Sequence, residues 1–411
     1  MKIVHITYTT SGGAGIAVCR LHEALMAQGI ESKILVAQSS IQSPDIVTVG
    51  ETYRNRRIPP KNRIAKKIFK TVRQKGKFMT SMEKMEYELS ELDRKYPAYF
   101  DLPLSSYELE KHPLIAWADV VHIHWISGFV DFPSFFSSIK KPILWTMHDL
   151  NPMYGGFHHF RLREKYLCYY ESLENKCYDI KKKAVENASN LSIVAISSQM
   201  HRLIAGHEFY KNKKIFDIHN CIDPKQFPFL EKDNVRNVLG WPENERCFLF
   251  VNVNMNDTEK GLAELVEALE HLALDNARLI CVGNGVVPKS DRIKITHYSA
   301  VKDMIWLDML YTAADFLVMP SHQEAFPSTP IEAMCCGTPV VITPVSGAED
   351  MINDENGVVA DGFSSTSIAD AILAAMQKSY KRESIRQGVI DKFSPEIIAQ
   401  KYIAAYKEIL L

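Results

Sequence analysis

Two glutamates lie eight positions apart in residues 321–339, which read SHQEAFPSTPIEAMCCGTP. Apolar runs at 316–319 and 340–342 flank this segment, so the pattern predicts a strand, a loop, a short helix and a second strand. Ligands of parallel sheets bind at the carboxyl ends of strands, where loop and helix amides attract anions. Glu324 and Glu332 add acceptors for hydroxyl groups. The segment therefore predicts a site for a phosphate-bearing ligand with many hydroxyls.

A structural role for the same carboxylates is the alternative. Residues Thr329 to Glu332 fit a capping box, with Pro330 at the first helical position. On local pattern alone this role for Glu332 is as well supported as a ligand role. For Glu324 the alternative is an ordinary exposed loop acid. The loop residues between them, whose amides would approach a ligand, are Phe326, Pro327, Ser328 and Thr329.

Glycine-rich turns follow several predicted strands. Gly12 and Gly13 come after a strand over 2–7 and before an amphipathic helix. Lys260 precedes Gly261 at a helix start, and Gly283 ends a strand in a G-N-G turn. Glycine lets backbone approach phosphate or sugar closely, although a tight turn with no ligand uses it equally. The first turn does not have the G-x-G-x-x-G spacing, so a nicotinamide cofactor is not predicted.

His148 and Asp149 directly follow the predicted strand 142–147. An isolated histidine is usually structural, but this one stands at a strand end, where ligands bind. A zinc site is a separate hypothesis for the residues that come next, which are His158, His159, Cys168 and Cys177. Their spacing matches no standard zinc module, so no metal site is predicted.

Strands and helices alternate along most of the chain, which predicts an α/β protein with parallel sheets. A length of 411 residues indicates at least two domains, and 46% apolar with 24% charged residues is an ordinary globular composition. The net charge of −1 gives no general attraction to nucleic acid. The eight cysteines are scattered, and the first residues, MKIVHITY, lead into a strand, so we expect a cytoplasmic protein with reduced thiols.

The two-glutamate segment resembles the E-x7-E signature of retaining glycosyltransferases of family four, written P-S-x-x-E-G-F-G-x-x-x-x-E-A-M-A-x-G-x-P-V-V. The matching residues are Pro320, Ser321, Glu324, Phe326, Glu332, Ala333, Met334, Gly337, Pro339, Val340 and Val341. Ala325 and Pro327 stand where the family has glycines, and no arginine lies near Lys260. The resemblance spans nearly the whole chain and is strongest over 247–350.

This resemblance implies a GT-B fold, in which two doubly wound Rossmann-like domains face an interdomain cleft. The implied domains are 1–215 and 222–392, followed by a C-terminal helix over 393–411 that crosses back to the first domain. The implied ligand is a nucleotide-diphosphate sugar, with Lys260 on the diphosphate, Glu332 on the ribose and Gly283 beneath the nucleotide. Glu324 and His148 would be the catalytic residues at the donor sugar. No metal or other cofactor is implied, and Glu324 is not expected to be a covalent nucleophile.

The predicted function is therefore transfer of a sugar, with retention, to a glycan or lipid-linked acceptor in bacterial surface polysaccharide synthesis. Two alternatives remain at this point: a nucleotide-sugar epimerase of the same architecture, and a non-catalytic nucleotide-sugar or carbohydrate-binding protein. An insertion over 51–112 carries a basic stretch from Arg54 to Lys77 without an acid, with Ile64, Ile68 and Val72 at helical spacing. It predicts either a peripheral contact with an anionic inner membrane face or a solvated helix.

Overall fold

A computed structural model describes residues 1–54, 80–301 and 303–411 of the chain. The stretch Arg54 to Lys77 lies outside the described residues, apart from Arg54 itself, so the membrane hypothesis stays a prediction. The described residues form two compact units. The first comprises 1–195, 202–216 and 402–411, and the second comprises 196–201 and 217–401.

The first unit is built on a seven-stranded sheet with the order β3-β2-β1-β4-β5-β6-β7. The strands are β1 Lys2–Thr9, β2 Glu31–Gln38, β3 Ile46–Thr48, β4 Val120–Ile123, β5 Ile143–Met147, β6 Leu191–Ala195 and β7 Lys214–Asp217. The helices from this part of the chain are α1 Gly12–Ala27, α2 Ser81–Asp93, α3 Pro113–Trp117, α4 Phe132–Ser138, α5 Phe160–Glu186 and α6 Ser198–Gly206. Neighbouring strands from β3 to β6 pair in parallel.

The second unit has a six-stranded sheet with the order β10-β9-β8-β11-β12-β13, and all its pairs are parallel. Its strands are β8 Arg246–Asn254, β9 Ala277–Asn284, β10 Lys294–Tyr298, β11 Phe316–Met319, β12 Val340–Ile342 and β13 Gly357–Val359. The helices are α7 Lys232–Leu239, α8 Leu262–Leu272, α9 Met304–Ala313, α10 Ser328–Cys335, α11 Ala348–Met351, α12 Ser365–Met376, α13 Arg382–Phe393 and α14 Pro395–Leu410.

Hydrophobic periodicity explains the layers of the second unit. Strands β8 and β11 are apolar runs because helices cover both faces of a doubly wound sheet. Helix α8 turns Leu262, Leu265 and Leu269 into the core, while its polar positions face outward. Both units are Rossmann-like parallel-sheet domains, which confirms the predicted fold class.

The last helix, α14, begins at Pro395, so a proline occupies its first helical position. Its final residues, from Tyr402, belong to the first unit. There the Tyr406 hydroxyl lies 2.7 Å from Nδ1 of His122, and the Tyr402 hydroxyl lies 3.1 Å from the hydroxyl of Thr146. Among the described residues, no helix is both long and apolar enough to cross a membrane.

Candidate active site

The turn that carries Lys260 is held in place by its neighbours at the edge of the second sheet. Asp257 caps the turn by accepting a hydrogen bond from the amide of Glu259 at 3.0 Å. Gly261 has a φ of +69°, in the left-handed region that favours glycine. A Cβ at Gly261 would overlap the carbonyl oxygen of Pro320, at the end of β11. Glycine is therefore required for the Lys260 turn to lie against the loop that follows β11.

A backbone hydrogen bond joins the Lys260 turn to the loop after β11: the amide of His322 donates to the carbonyl of Glu259 at 2.8 Å. Lys260 Nζ then lies 2.7 Å from Oε1 of Glu324. Both side chains are partly exposed, at 27% and 18% of their accessible area. The structure thus brings together two of the residues that the sequence predicts as ligand contacts, although 64 positions separate them.

Helix α10 begins just after this ion pair. It starts at Ser328, one residue before the capping box would begin, and Pro327 occupies the N-cap position without a side-chain cap hydrogen bond. The predicted capping box is therefore wrong, since Thr329 is already helical and its hydroxyl does not cap the helix. The first turn of this helix, which lies wholly within the described residues, contains no acidic residue. Its leading amides remain suited to bind an anion.

Glu332 lies on α10 and is half-buried. The hydroxyl of Tyr311, on α9, donates a hydrogen bond to Oε2 of Glu332 at 3.1 Å. Tyr311 is fully buried, so this bond fixes the carboxylate from the core side. The prediction that Glu332 binds a ribose remains a prediction.

Phe326 is buried and contributes packing to the loop. Its ring stacks on His219 with centroids 5.1 Å apart, and it also contacts Phe393 at 5.8 Å. Gly347, with a φ of +86°, leaves the space that the Phe326 ring occupies. With the ring buried, Phe326 can position the loop backbone for a ligand, and the partly exposed Ser328 and Thr329 can contact it. The stack on His219 therefore helps to hold this loop.

Gly283 belongs to β9, which is longer than the pattern predicts and includes Asn284. Its φ is +153°, and a Cβ there would overlap the carbonyl oxygen of Asn252 in β8. Its own carbonyl accepts a hydrogen bond from Nε2 of His297 at 2.7 Å. These contacts explain the glycine by close packing of β8 and β9, and a nucleotide above it remains a prediction.

In the first unit, Gly12 and Gly13 open α1; the sequence pattern placed them in a turn before the helix. Both are exposed, and a Cβ on either would meet no atom within 4 Å, so there is room above them for a ligand. Gly15 is the glycine that packing requires, because its Cβ would lie 2.6 Å from the backbone of Thr10. Sequence reasoning did not single out Gly15.

His148 follows β5 and is partly exposed. Its Nε2 lies 3.2 Å from Nδ1 of His124, which follows β4. Burial lowers the pKa of His148 to about 4, against a smaller opposing effect of the adjacent Asp149 carboxylate. His148 is therefore neutral at physiological pH, and Asp149 hydrogen-bonds elsewhere.

Asp149 binds His158, whose fully buried side chain lies between two carboxylates. Its Nδ1 lies 2.6 Å from Asp149 and its Nε2 lies 2.9 Å from Asp101. Burial acts to lower the pKa of His158, but the two carboxylates outweigh it and raise the pKa to about 9. His158 is thus a buried imidazolium beside the His148 strand end. The indole of Trp125 also donates to Asp149, at 3.0 Å.

The zinc hypothesis finds no support in these contacts. Both nitrogens of His158 bind carboxylates, and Cys177 is buried in an apolar cluster where burial raises its pKa to about 12. Among the described residues, the group whose ligand atoms are close enough for a metal ion is a different one, His5, His122 and His124. Sequence reasoning missed both this group and the Asp101–His158–Asp149 cluster, because their members come from separate strands and loops.

Two Rossmann-like units with parallel sheets are the architecture of the GT-B fold. Residues 231–391 match the family model described as Glycosyl transferases group 1. The chain is 25% identical over 398 residues to a D-inositol 3-phosphate glycosyltransferase of Xylanimonas cellulosilytica, which covers 92% of this chain and 86% of the relative. The resemblance to family-four glycosyltransferases is thereby confirmed, and residues 231–391 match the group 1 glycosyltransferases.

Two further comparisons agree with this assignment. A capsular polysaccharide biosynthesis glycosyltransferase, CapM of Staphylococcus aureus, is 26% identical over 236 residues, which cover 53% of this chain and 62% of the relative. The structure of Alr3699/HepE from Anabaena in complex with UDP and glucose superposes with a TM-score of 0.60 at 16% identity, and covers 99% of this chain and all of the other. At that identity the superposition shows the fold alone.

Proposed function

We propose that this protein transfers a sugar from a nucleotide-diphosphate sugar to a glycan or lipid-linked acceptor, with retention at the anomeric carbon. The observation that carries the proposal is the Lys260–Glu324 ion pair, which lies beside the start of α10. A cation, a carboxylate and free helix amides together complement a sugar diphosphate. The ammonium and the amides match the phosphates, while the carboxylate matches sugar hydroxyls.

The ion pair also suggests how the donor enters. Lys260 Nζ is paired with Glu324 at 2.7 Å. A diphosphate would compete for the ammonium and free Glu324 to accept hydrogen bonds from the sugar. The leaving diphosphate would then be stabilised by Lys260 and the α10 dipole, with no metal ion required. The absence of an arginine near Lys260 leaves this lysine as the principal cation at the diphosphate.

His148 is proposed to act on the donor sugar. Its neutral ring, at the end of β5, suits it to hydrogen-bond a hydroxyl. No residue is proposed as a covalent nucleophile. Retention is proposed to arise by attack of the acceptor on the face that the diphosphate leaves, with the diphosphate helping to accept the proton. The resemblance to retaining enzymes supports this, and the anomeric configuration of the product tests it.

The acceptor is proposed to be a growing surface polysaccharide or its lipid-linked precursor, made in the cytoplasm at the inner membrane face. The S. aureus relative, named for capsular polysaccharide biosynthesis, supports the first part. The basic stretch 54–77 of the sequence supports the second. UDP is the first donor nucleotide to test, since the Anabaena structure contains it.

A panel of nucleotide sugars, incubated with and without candidate glycan acceptors, tests the proposal. We expect free nucleoside diphosphate and an extended acceptor, with the anomeric configuration of the donor retained by NMR. An isomerised nucleotide sugar that forms without acceptor would instead identify an epimerase. Binding without any turnover, in a protein whose Lys260→Met variant no longer binds, would identify a non-catalytic nucleotide-sugar-binding protein. An inverted product would remove the chain from the retaining class.

A further inference from the structure

A row of histidines leads from the middle of β1 to the carboxyl edge of the first sheet. His5 lies in β1, and His124 and His148 directly follow β4 and β5. Nδ1 of His5 lies 2.9 Å from Nε2 of His124, and Nδ1 of His124 lies 3.2 Å from Nε2 of His148. The three rings therefore form a continuous hydrogen-bonded chain from the core to the predicted sugar contact.

All three rings are neutral. Burial holds the pKa of His5 and of His124 well below the ordinary value, and neighbouring histidines add to this effect. Burial likewise lowers the pKa of His148 to about 4. A neutral imidazole carries one N–H, so each ring donates through one nitrogen and accepts through the other. The hydrogen bonds between the three rings can therefore point in only two directions. Either every N–H donates outward, from His5 toward His148, or every N–H donates inward, from His148 toward His5.

The inner end of the chain distinguishes these two directions. Nε2 of His5 is buried and has no hydrogen-bond partner among the described residues. If the N–H groups donated inward, Nε2 of His5 would carry a buried N–H without an acceptor. If they donate outward, the His5 proton is on Nδ1, and Nε2 carries only a lone pair that accepts no hydrogen bond. Buried donors without partners are rarer than acceptors without partners, so the outward direction is favoured.

We propose that His5 and His124 fix His148 as the neutral tautomer with its proton on Nδ1, which makes His148 a hydrogen-bond donor to the sugar. Nε2 of His148 accepts from His124 and is occupied. Nδ1 is then the nitrogen left for a ligand, and it can donate but cannot remove a proton. His5 and His124 are positioning residues in this arrangement. The role at a sugar rests on the proposed function, whereas the tautomer itself does not.

A metal ion bound by His5, His122 and His124 is the competing account, since their ligand atoms lie within 4.8 Å of one another. His122, however, has both nitrogens in hydrogen bonds, to the hydroxyl of Tyr406 at 2.7 Å and to that of Thr146 at 2.8 Å. Both nitrogens of His124 are also engaged. A metal would break several of these bonds, whereas the hydrogen bonds as they stand leave only Nε2 of His5 unused among these three rings.

Nitrogen-15 NMR of the full chain, labelled at histidine and free of donor, tests the tautomer directly. The His148 signals are identified by their loss in a His148→Gln variant. We expect a protonated Nδ1 and an unprotonated Nε2, unchanged between neutral pH and pH 6. A protonated Nε2, or a ring that becomes charged near its ordinary pKa, would overturn the proposal. So would stoichiometric Zn²⁺ binding that perturbs the His5 and His124 signals.

A His124→Phe variant tests the positioning role. Without its neighbour's N–H, His148 should shift toward protonation at Nε2, and sugar transfer should slow at least tenfold in kcat with nucleotide affinity unchanged. His201→Gln is the matched control, because His201 pairs with Asp217 in the second unit, and His148 should keep its tautomer there. If His124→Phe does not fold, the wild-type spectrum still decides. An inactive wild-type protein with the expected spectrum would refute the function and leave the tautomer standing.

Discussion

At the scale of single residues, Lys260 and Glu324 form an ion pair, and each would face a different part of the donor when it binds. The 2.7 Å ion pair between them is only partly shielded from water, so on its own it contributes little to stability. Its proposed value lies in holding both groups in place for the ligand. This competition can be measured by removing the glutamate charge.

In a Glu324→Gln variant, we expect the affinity for a free nucleoside diphosphate to stay level or to rise, because Lys260 is no longer neutralised. The affinity for the matching nucleotide sugar should fall about tenfold relative to the diphosphate, since an amide replaces a charged acceptor. Titration calorimetry with both ligands measures the ratio. A fall in diphosphate affinity as large as that of a Lys260 variant would contradict this separation of roles.

A second prediction concerns how His158 makes the free energy of unfolding depend on pH. Its folded pKa of about 9 exceeds the ordinary 6.5, so its contribution to the free energy of unfolding is complete below pH 6.5 and is lost as the pH rises through 9. The shift corresponds to about 3 kcal/mol. The stability difference between wild type and His158→Gln should therefore shrink by about that amount across this interval.

Denaturant unfolding at several pH values measures this difference. His201→Gln serves as the control, because His201 is more exposed and pairs with the single carboxylate Asp217. A His158→Gln variant whose stability stays parallel to wild type from pH 6.5 to pH 9 would show that His158 is not a buried imidazolium.

At the scale of elements, the site depends on loops that are brought together by glycines and by strand order. The Lys260 turn and the loop after β11 meet because β8 and β11 are neighbours in the sheet. Gly261 permits their contact, since a Cβ would overlap Pro320. Gly240 ends α7 with a similar φ of +66°, but a Cβ there would meet no atom within 4 Å.

These two glycines make a matched pair of alanine substitutions. Both should lose about 1 kcal/mol from strain in the left-handed region. Gly261→Ala should additionally displace Lys260 and weaken nucleoside diphosphate binding at least tenfold, whereas Gly240→Ala should bind as wild type does. Thermal unfolding and calorimetry on both variants check this. Equal diphosphate affinity in the two variants would mean that the loop contact does not position Lys260.

Some of the helices and strands could be predicted from the sequence, and others could not. Alternating strand and helix patterns predicted an α/β protein with parallel sheets, and the family resemblance implied two Rossmann-like domains. The E-x7-E segment predicted the loop and helix around Glu324. The start of α10 was missed by two residues because a Thr-Pro-x-Glu pattern fits a capping box locally, whereas the helix already begins at Ser328, after a loop packed by the contact between Phe326 and His219. Local pattern carries no information about such contacts.

The histidine chain was beyond sequence reasoning for a related reason. His5 pairs in register with His122 across β1 and β4, although 117 positions separate them. Sheet register and side-chain direction decide that His5, His124 and His148 meet, and neither can be read from spacing. Asp101 and His158 are likewise brought together by tertiary folding, so the raised pKa of His158 could not be anticipated.

At the scale of the whole molecule, we expect surface charge to determine whether the protein acts at a membrane. The overall charge is −1, but the basic residues between 54 and 77 are not interrupted by an acid. If this stretch meets anionic lipid, each basic side chain near the surface contributes about 1 kcal/mol, which suffices for reversible attachment. A lipid-linked acceptor would then be concentrated where the enzyme sits.

Liposome sedimentation tests this prediction. We expect binding to vesicles with anionic lipid at low salt, weaker binding at high salt, and none to neutral vesicles. Reversal of Lys66, Lys67 and Lys70 to Glu should abolish it. Reversal of the exposed Lys225, Lys289 and Lys407 to Glu is a charge-matched control that should weaken it much less. Equal losses in both variants would indicate a general charge effect and would favour a soluble acceptor.

The claim on which the whole account depends is that the Lys260–Glu324 site of the second unit holds the donor diphosphate. Calorimetric titration of UDP, GDP and ADP into wild type, Lys260→Met and the surface control Lys378→Met tests it most directly. We expect at least one diphosphate to bind wild type and the control equally well, and to bind Lys260→Met roughly 10- to 100-fold more weakly, because a charged hydrogen-bond partner is lost. A folded Lys260→Met protein that binds the best of the three as tightly as wild type would contradict it.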